Sequence, residues 1–226
     1  MRTVTKIFST LALTAAGVAA AIAPASAVPY SNGLTLAVGN LLFTFNSCSV
    51  TSLAFGPPPI SGVGTTDCSQ LNFTPIAPAG MFGFAINGGI VSVNGAVYDV
   101  ALQYSIDVLP PASTLVHDAH LVVVGGTVGP GAVTAVDETI FDSSGFDGAL
   151  HVTTSSPVDS TNLLRDALHL EVAKDILTFS AAPGSVAEIS IVDQFFSEVP
   201  EPTLTAFAGL ALTGLGLMRR RRKTAA

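Results

Sequence analysis

The chain has 226 residues, 49% of them hydrophobic and 11% charged, with 13 Phe, no Trp, two Cys and a formal charge of −7. An acidic balance repels nucleic acid and anionic lipid, which excludes both as partners of the folded part. Two cysteines allow at most one disulfide.

The first 27 residues read as an export signal. Arg2 and Lys6 give a positive start, an apolar run follows over 7–22, and Ala25-Ser26-Ala27 is a small-residue cleavage site, so the mature chain is expected to begin at Val28. The last 28 residues, 199–226, form a second address. Val199-Pro200-Glu201-Pro202 is a stiff extended strip, since proline fixes its own φ and pushes its predecessor out of the helical region. The uncharged run over 203–218 suits a short membrane helix of about 24 Å, and Arg219, Arg220, Arg221, Arg222 and Lys223 then act as a cytoplasmic stop-transfer signal.

Setting both ends aside leaves 28–198, 171 residues, the size of one domain. Seven of the nine cations fall in the two ends, so the exported part keeps only Arg165 and Lys174. Against them stand 15 acids, every acid but Glu201. Cys48 and Cys68, in an exported chain, are expected to pair across the Gly56-Pro57-Pro58-Pro59 turn.

Short alternating runs separated by Gly, Pro, Asn, Asp and Ser give an all-β expectation: an antiparallel two-sheet sandwich, jelly-roll or immunoglobulin-like. The clearest strand is 97–109, with Tyr98, Val100, Leu102, Tyr104, Ile106 and Val108 on one face and Asp99, Gln103, Ser105 and Asp107 on the other. A second is 186–195, with Ala187, Ile189 and Ile191 inward. Further strands are expected at 34–38, 41–47, 81–86, 90–93, 119–124, 134–141, 149–154, 168–172 and 176–181. Asn94-Gly95 carries the signal of a two-residue hairpin turn, and Lys174-Asp175 reads as another. A short helical turn is expected over 159–167, and 125–131 reads as a surface loop.

The candidate chemistry is sparse. His117 and His120 are three apart in an extended segment and so face opposite ways, and His151 and His169 lie in expected strands. Asp142-Ser143-Ser144-Gly145-Phe146-Asp147-Gly148 offers Asp142 and Asp147 as candidate calcium ligands. The alternative is a polar turn whose residues serve the backbone. No Gly-x-Ser-x-Gly elbow occurs in the exported part. The lack of Trp removes the commonest platform for sugar rings. Tyr30, Tyr98 and Tyr104 remain, the last two on the expected core face.

The tail resembles the PEP-CTERM sorting signal of Gram-negative bacteria that make exopolysaccharide: Pro-Glu-Pro, a Gly-containing apolar span and an Arg cluster, in that order. The segment Ile189 to Ser197 before it, with Lys174-Asp175-Ile176 upstream, looks like the end of the β-rich ectodomains found on such proteins. The resemblance implies an exosortase-type processing enzyme and the secretion translocon as partners, transient residence in the inner membrane, and a final place at the cell surface or outside the cell. It also implies a structural or adhesive role beside exopolysaccharide, without enzymatic activity and without a cofactor unless calcium is one. The alternatives are a secreted polysaccharide-acting hydrolase and a calcium-dependent binding module.

Overall fold

The computed structural model describes residues 26–54, 67–78 and 80–200. The expected signal peptide before Ser26 and the tail from Glu201 onward, including Pro202 and the cations of 219–223, lie outside the described residues.

Among the described residues, twelve strands form two six-stranded antiparallel sheets, and the helical structure is one 3-10 turn, Cys68–Gln70. The first sheet has the order β1 (Val28–Pro29), β4 (Asn72–Ile76), β5 (Met81–Val93), β12 (Val186–Pro200), β7 (Thr114–Val128), β10 (Val158–Ala167). The second has the order β2 (Leu34–Val38), β3 (Leu41–Ala54), β6 (Ala96–Val108), β11 (His169–Ser180), β8 (Ala132–Asp142), β9 (Gly145–Val152). The all-β two-sheet expectation therefore holds, and β6 carries Val100, Leu102, Tyr104 and Ile106 inward as its alternation dictates.

Several local expectations are corrected. Asn94 and Gly95 do have positive φ, 53° and 88°, but they join β5 to β6, strands of different sheets. The turn chemistry was legible, whereas the partner was not. It is fastened from outside: Asn94 Oδ1 accepts from Gly184 N at 2.8 Å, and Gly95 N donates to Ser180 Oγ at 3.3 Å. Lys174-Asp175 is no turn. The two expected strands around it are one, β11, because the alternation Leu170, Val172, Lys174, Ile176 runs unbroken and Lys174 has a partner inside. The expected helix over 159–167 is the edge strand β10, where Asp159, Thr161 and Leu163 alternate and 158–162 pair along β7. Gly125 to Val128 is not loop but the end of β7, with Gly125 opposite Ile189. A Cβ at Gly125 would run into the Glu188 carbonyl, so the close pairing there requires glycine. In β12 a bulge between Ile189 and Ile191 shifts the alternation, and Val192, Gln194 and Phe196 point inward in place of Ile191. Ser197 to Val199 continue β12: Val199 lies opposite Leu115 and Pro200 opposite Thr114.

The core is aromatic. Phe45 packs on Phe73 at 4.3 Å and Phe84 at 5.1 Å, and Phe84 meets Phe43 and Tyr104 edge-on, both at 5.2 Å. All five are fully buried, and edge-to-face contacts add to the burial of area. Phe84→Ala should lower the unfolding free energy by about 3–5 kcal/mol, read from urea denaturation. A loss under about 1 kcal/mol would contradict this packing.

Candidate functional site on the outer face of the second sheet

Antiparallel register lines up residues across neighbouring strands. On the outer face of the second sheet one row reads Ser49, Ala101, Asp175, Asp137, His151 from β3 to β9. The next reads Ser47, Gln103, Ala173, Thr139, Ala149, and the one beyond reads Thr44, Ser105, Glu171, Phe141, Phe146. Ala101 and Ala173 are short where their neighbours are long. Two adjoining depressions of about 220 and 230 Å³ result, sharing Gln103 and Ala173. Five strands at about 4.8 Å spacing make this a surface about 19 Å across.

The rim is polar at one end and aromatic at the other. Gln103 Oε1 accepts from Ser47 Oγ at 3.1 Å, and Asp137 Oδ1 lies 2.6 Å from His151 Nδ1. Phe141 and Phe146 meet edge to face at 6.5 Å, both partly open to solvent. Asp175 is pushed up to about 7, first by desolvation, then by hydrogen bonding and charge from Asp99, and last by the charge of Asp137. Asp99 Oδ1 is buried with no hydrogen-bond partner among the described residues, and a proton held by Asp175 would supply one. The face thus presents amide, hydroxyl and carboxyl groups over an alanine floor, beside two phenyl rings. Such a set can hydrogen-bond a hydroxyl-rich ligand and pack against its apolar faces.

The residues singled out in the sequence fall elsewhere. Cys48 and Cys68 form the expected disulfide, with Cα atoms 6.1 Å apart, joining β3 to the 3-10 turn. A depression of about 450 Å³ lies beside it, and its lining acid Asp67 is engaged in capping Ser69 N. Asp142 and Asp147 do converge, but on Arg165. Asp142 takes the guanidinium in two hydrogen bonds, of 2.5 and 2.9 Å, and buried Asp147 accepts from Arg165 N at 2.9 Å. Arg165 holds Asp142 below the usual carboxylate range, mainly through those hydrogen bonds, while burial raises Asp147. The cation these acids face is Arg165, and the clamp ties β10 of the first sheet to the β8–β9 turn of the second. Among the described residues no three His, Cys, Asp or Glu side chains converge to hold a metal. His117 and His120 have separate partners, Asp166 at 2.7 Å and Asp118 at 3.1 Å.

What the sequence reading missed is in the interior. Lys174 from β11 and Glu138 from β8 sit directly opposite each other, fully buried, as an ion pair. Gln194 from β12 of the other sheet accepts from Lys174 Nζ at 2.7 Å, and Tyr104 donates to Glu138 Oε2 at 3.2 Å. The signal was parity: Lys174 lies an even number of residues from Leu170 and Ile176, on their side of the strand.

No family model and no curated protein matches the chain. Among solved structures it is similar to TmCBM61, a carbohydrate-binding module solved in complex with beta-1,4-galactotriose, at 10% identity and a TM-score of 0.35, over 68% of this chain and 88% of that one.

The raised acid makes stability depend on pH in a defined direction. Asp175 titrates higher folded than unfolded, so its contribution is full below the ordinary Asp value and is lost as pH rises through about 7. His117 and His169 are raised mainly by hydrogen bonds donated to Asp166 and Asp107. Their contributions are likewise full below the ordinary His value and fade above it. The thermal midpoint should fall between about pH 5 and about pH 8, and fall less steeply in Asp175→Asn. An unchanged slope in that variant contradicts the assignment.

Proposed function

We propose that the protein is exported and sorted by its PEP-CTERM tail, and that at the cell surface it binds polysaccharide without cleaving it, along the outer face of the second sheet. The observation that carries the binding reading is the run of Gln103, Thr139, Asp137 and Asp175 around the floor of Ala101 and Ala173, ending at the Phe141–Phe146 pair. Sugars offer many hydroxyls, and a carboxylate can accept two hydrogen bonds from adjacent ones. An open, multi-strand surface suits an extended chain better than a small molecule, which wants a concavity that encloses most of it.

The adhesive reading also draws on charge. Arg165 is spent on Asp142 and Lys174 on Glu138, so among the described residues the bases that meet the outer-face acids are histidines, such as His151 on Asp137 and His169 on Asp107. A neutral or cationic polysaccharide would meet no repulsion there. The hydrolase reading retains one favouring observation: Asp175, with its raised pKa, stands directly opposite Asp137, and an acid beside a base is the minimum for glycoside hydrolysis.

Binding of the intact protein to exopolysaccharide of the producing cell, measured by co-sedimentation, should fall at least about tenfold in a Gln103→Ala, Asp137→Ala double variant, the loss of two or three hydrogen bonds. Equal binding by the variant would overturn the site. Release of reducing ends that disappears in Asp175→Asn would establish the hydrolase instead. For the route, replacing Pro200, Glu201 and Pro202 by Ala should leave the unprocessed chain in the inner membrane. Normal processing and surface display of that variant would refute the sorting role.

A further inference from the structure

The buried cluster around Lys174 has features that an ordinary ion pair does not require. The Lys174 ammonium is in contact with two groups at once, the Glu138 carboxylate and the side-chain carbonyl of Gln194, the latter at 2.7 Å. Two polar atoms beside it are buried and have no partner among the described residues, Glu138 Oε1 and Gln194 Nε2. An orphan carboxylate oxygen and an orphan amide nitrogen in one pocket are each expensive. We propose that this pocket is a self-modification site, where Lys174 and Gln194 condense to an intramolecular isopeptide bond between the two sheets, with Glu138 carrying the protons.

The chemistry balances within the cluster. Lys174 passes one proton to Glu138 along the contact they already share and becomes a neutral amine. Its Nζ adds to Cδ of Gln194, pushing the carbonyl electron pair onto Oε1. Glu138 delivers its proton to Nε2, the carbon–nitrogen bond to Nε2 breaks as the carbonyl re-forms, and ammonia leaves. A proton from the former ammonium returns to Glu138. Five nitrogen-bound hydrogens become one on the new amide, three on ammonia and one on the Glu138 carboxyl, and the net charge is zero before and after. Nothing is oxidised or reduced. The product holds no unpaired charge in the core, and the orphan Nε2 has departed with the ammonia.

The surroundings suit the step. Burial lowers the Lys174 pKa against the opposing pull of Glu138, which favours the nucleophilic neutral amine. Tyr104, raised well above the usual phenol range by burial and by Glu138, remains a donor and fixes the carboxyl at 3.2 Å. Its ring is held in turn by Phe45 and Phe84, at 5.7 and 5.2 Å. These rings keep water away from an amide that hydrolysis would otherwise open. Gln194 is set by the backbone. A Cβ on Gly83 would overlap the backbone carbonyl of Gln194, so only glycine lets β5 lie that close to β12 at this residue.

The test is the mass of the full-length chain as the cell makes it, followed by a chymotryptic digest under reducing, denaturing conditions. The expected result is one branched peptide containing Lys174 and Gln194, lighter than its two parts together by one ammonia, about 17 Da. Recovery of the two peptides separate and unmodified from the folded wild type would overturn the proposal. So would Gln194 appearing as Glu, since water and not Lys174 would then have taken the carbonyl. Glu138→Gln should reduce the linked fraction at least about tenfold, the usual scale of general acid–base assistance. Since that change also breaks a buried ion pair, Tyr104→Phe provides the check in a milder background. It removes only the hydroxyl that positions Glu138 and should slow linkage after refolding. Linkage at the wild-type rate in both variants would overturn the role of Glu138.

Discussion

Everything in the second sheet is keyed to the opposition of Lys174 and Glu138. Both side chains point into an apolar interior, where neither is tolerable alone. Removing one partner of such a pair costs about 3–5 kcal/mol, because the other charge is left without compensation. The pair therefore fixes register more than it adds stability. A slip of one residue between β11 and β8 would expose Lys174 and turn Asp175 inward against Glu138, two like charges in the core. The true register is the one that buries opposite charges and leaves the like charges outside, where water and a shared proton accommodate them. Gln194 extends the constraint to the other sheet, so the facing of the two layers is specified as well as the pairing within one.

This arrangement explains why the architecture was legible and several details were not. Alternation along β6 and β12, and glycine and proline between runs, were enough for an all-β chain in two layers. Errors arose where polar residues were read as punctuation. Lys174-Asp175 looked like a turn because charge normally marks the surface, and the exception required Glu138, 36 residues away, which no local window contains. The run 159–167 looked like a short helical turn, yet it is an edge strand, where Asp159 accepts from His151 N at 2.8 Å. Asn94-Gly95 specified its own backbone but could not specify that the chain crosses to the other sheet there.

The candidate surface was illegible for a related reason. Each strand shows its own outward residues, but a row such as Ala101, Asp175, Asp137 and His151 exists only once register is known. Asp142 and Asp147 show the converse. The sequence correctly grouped them as two acids in one turn, and the structure supplied the cation as Arg165. Of Arg165 and Lys174, the two cations within 28–198, one is a clamp between sheets and the other a core residue. Both are placed where they hold the layers together.

The position of β12 gives the fold a mechanical polarity. This strand lies between β5 and β7, bonded on both sides, and its pairing with β7 reaches Pro200. Traction on the chain beyond Pro200 would pull along the strand axis rather than peel an edge away. Its ladders to both neighbours would then resist in shear, many hydrogen bonds at once, instead of opening one after another as a zipper does. A hairpin at the sheet edge would yield at the first bond, whereas a central strand must slide as a unit. A chain tethered by its C-terminal side would thus transmit tension into the middle of a sheet.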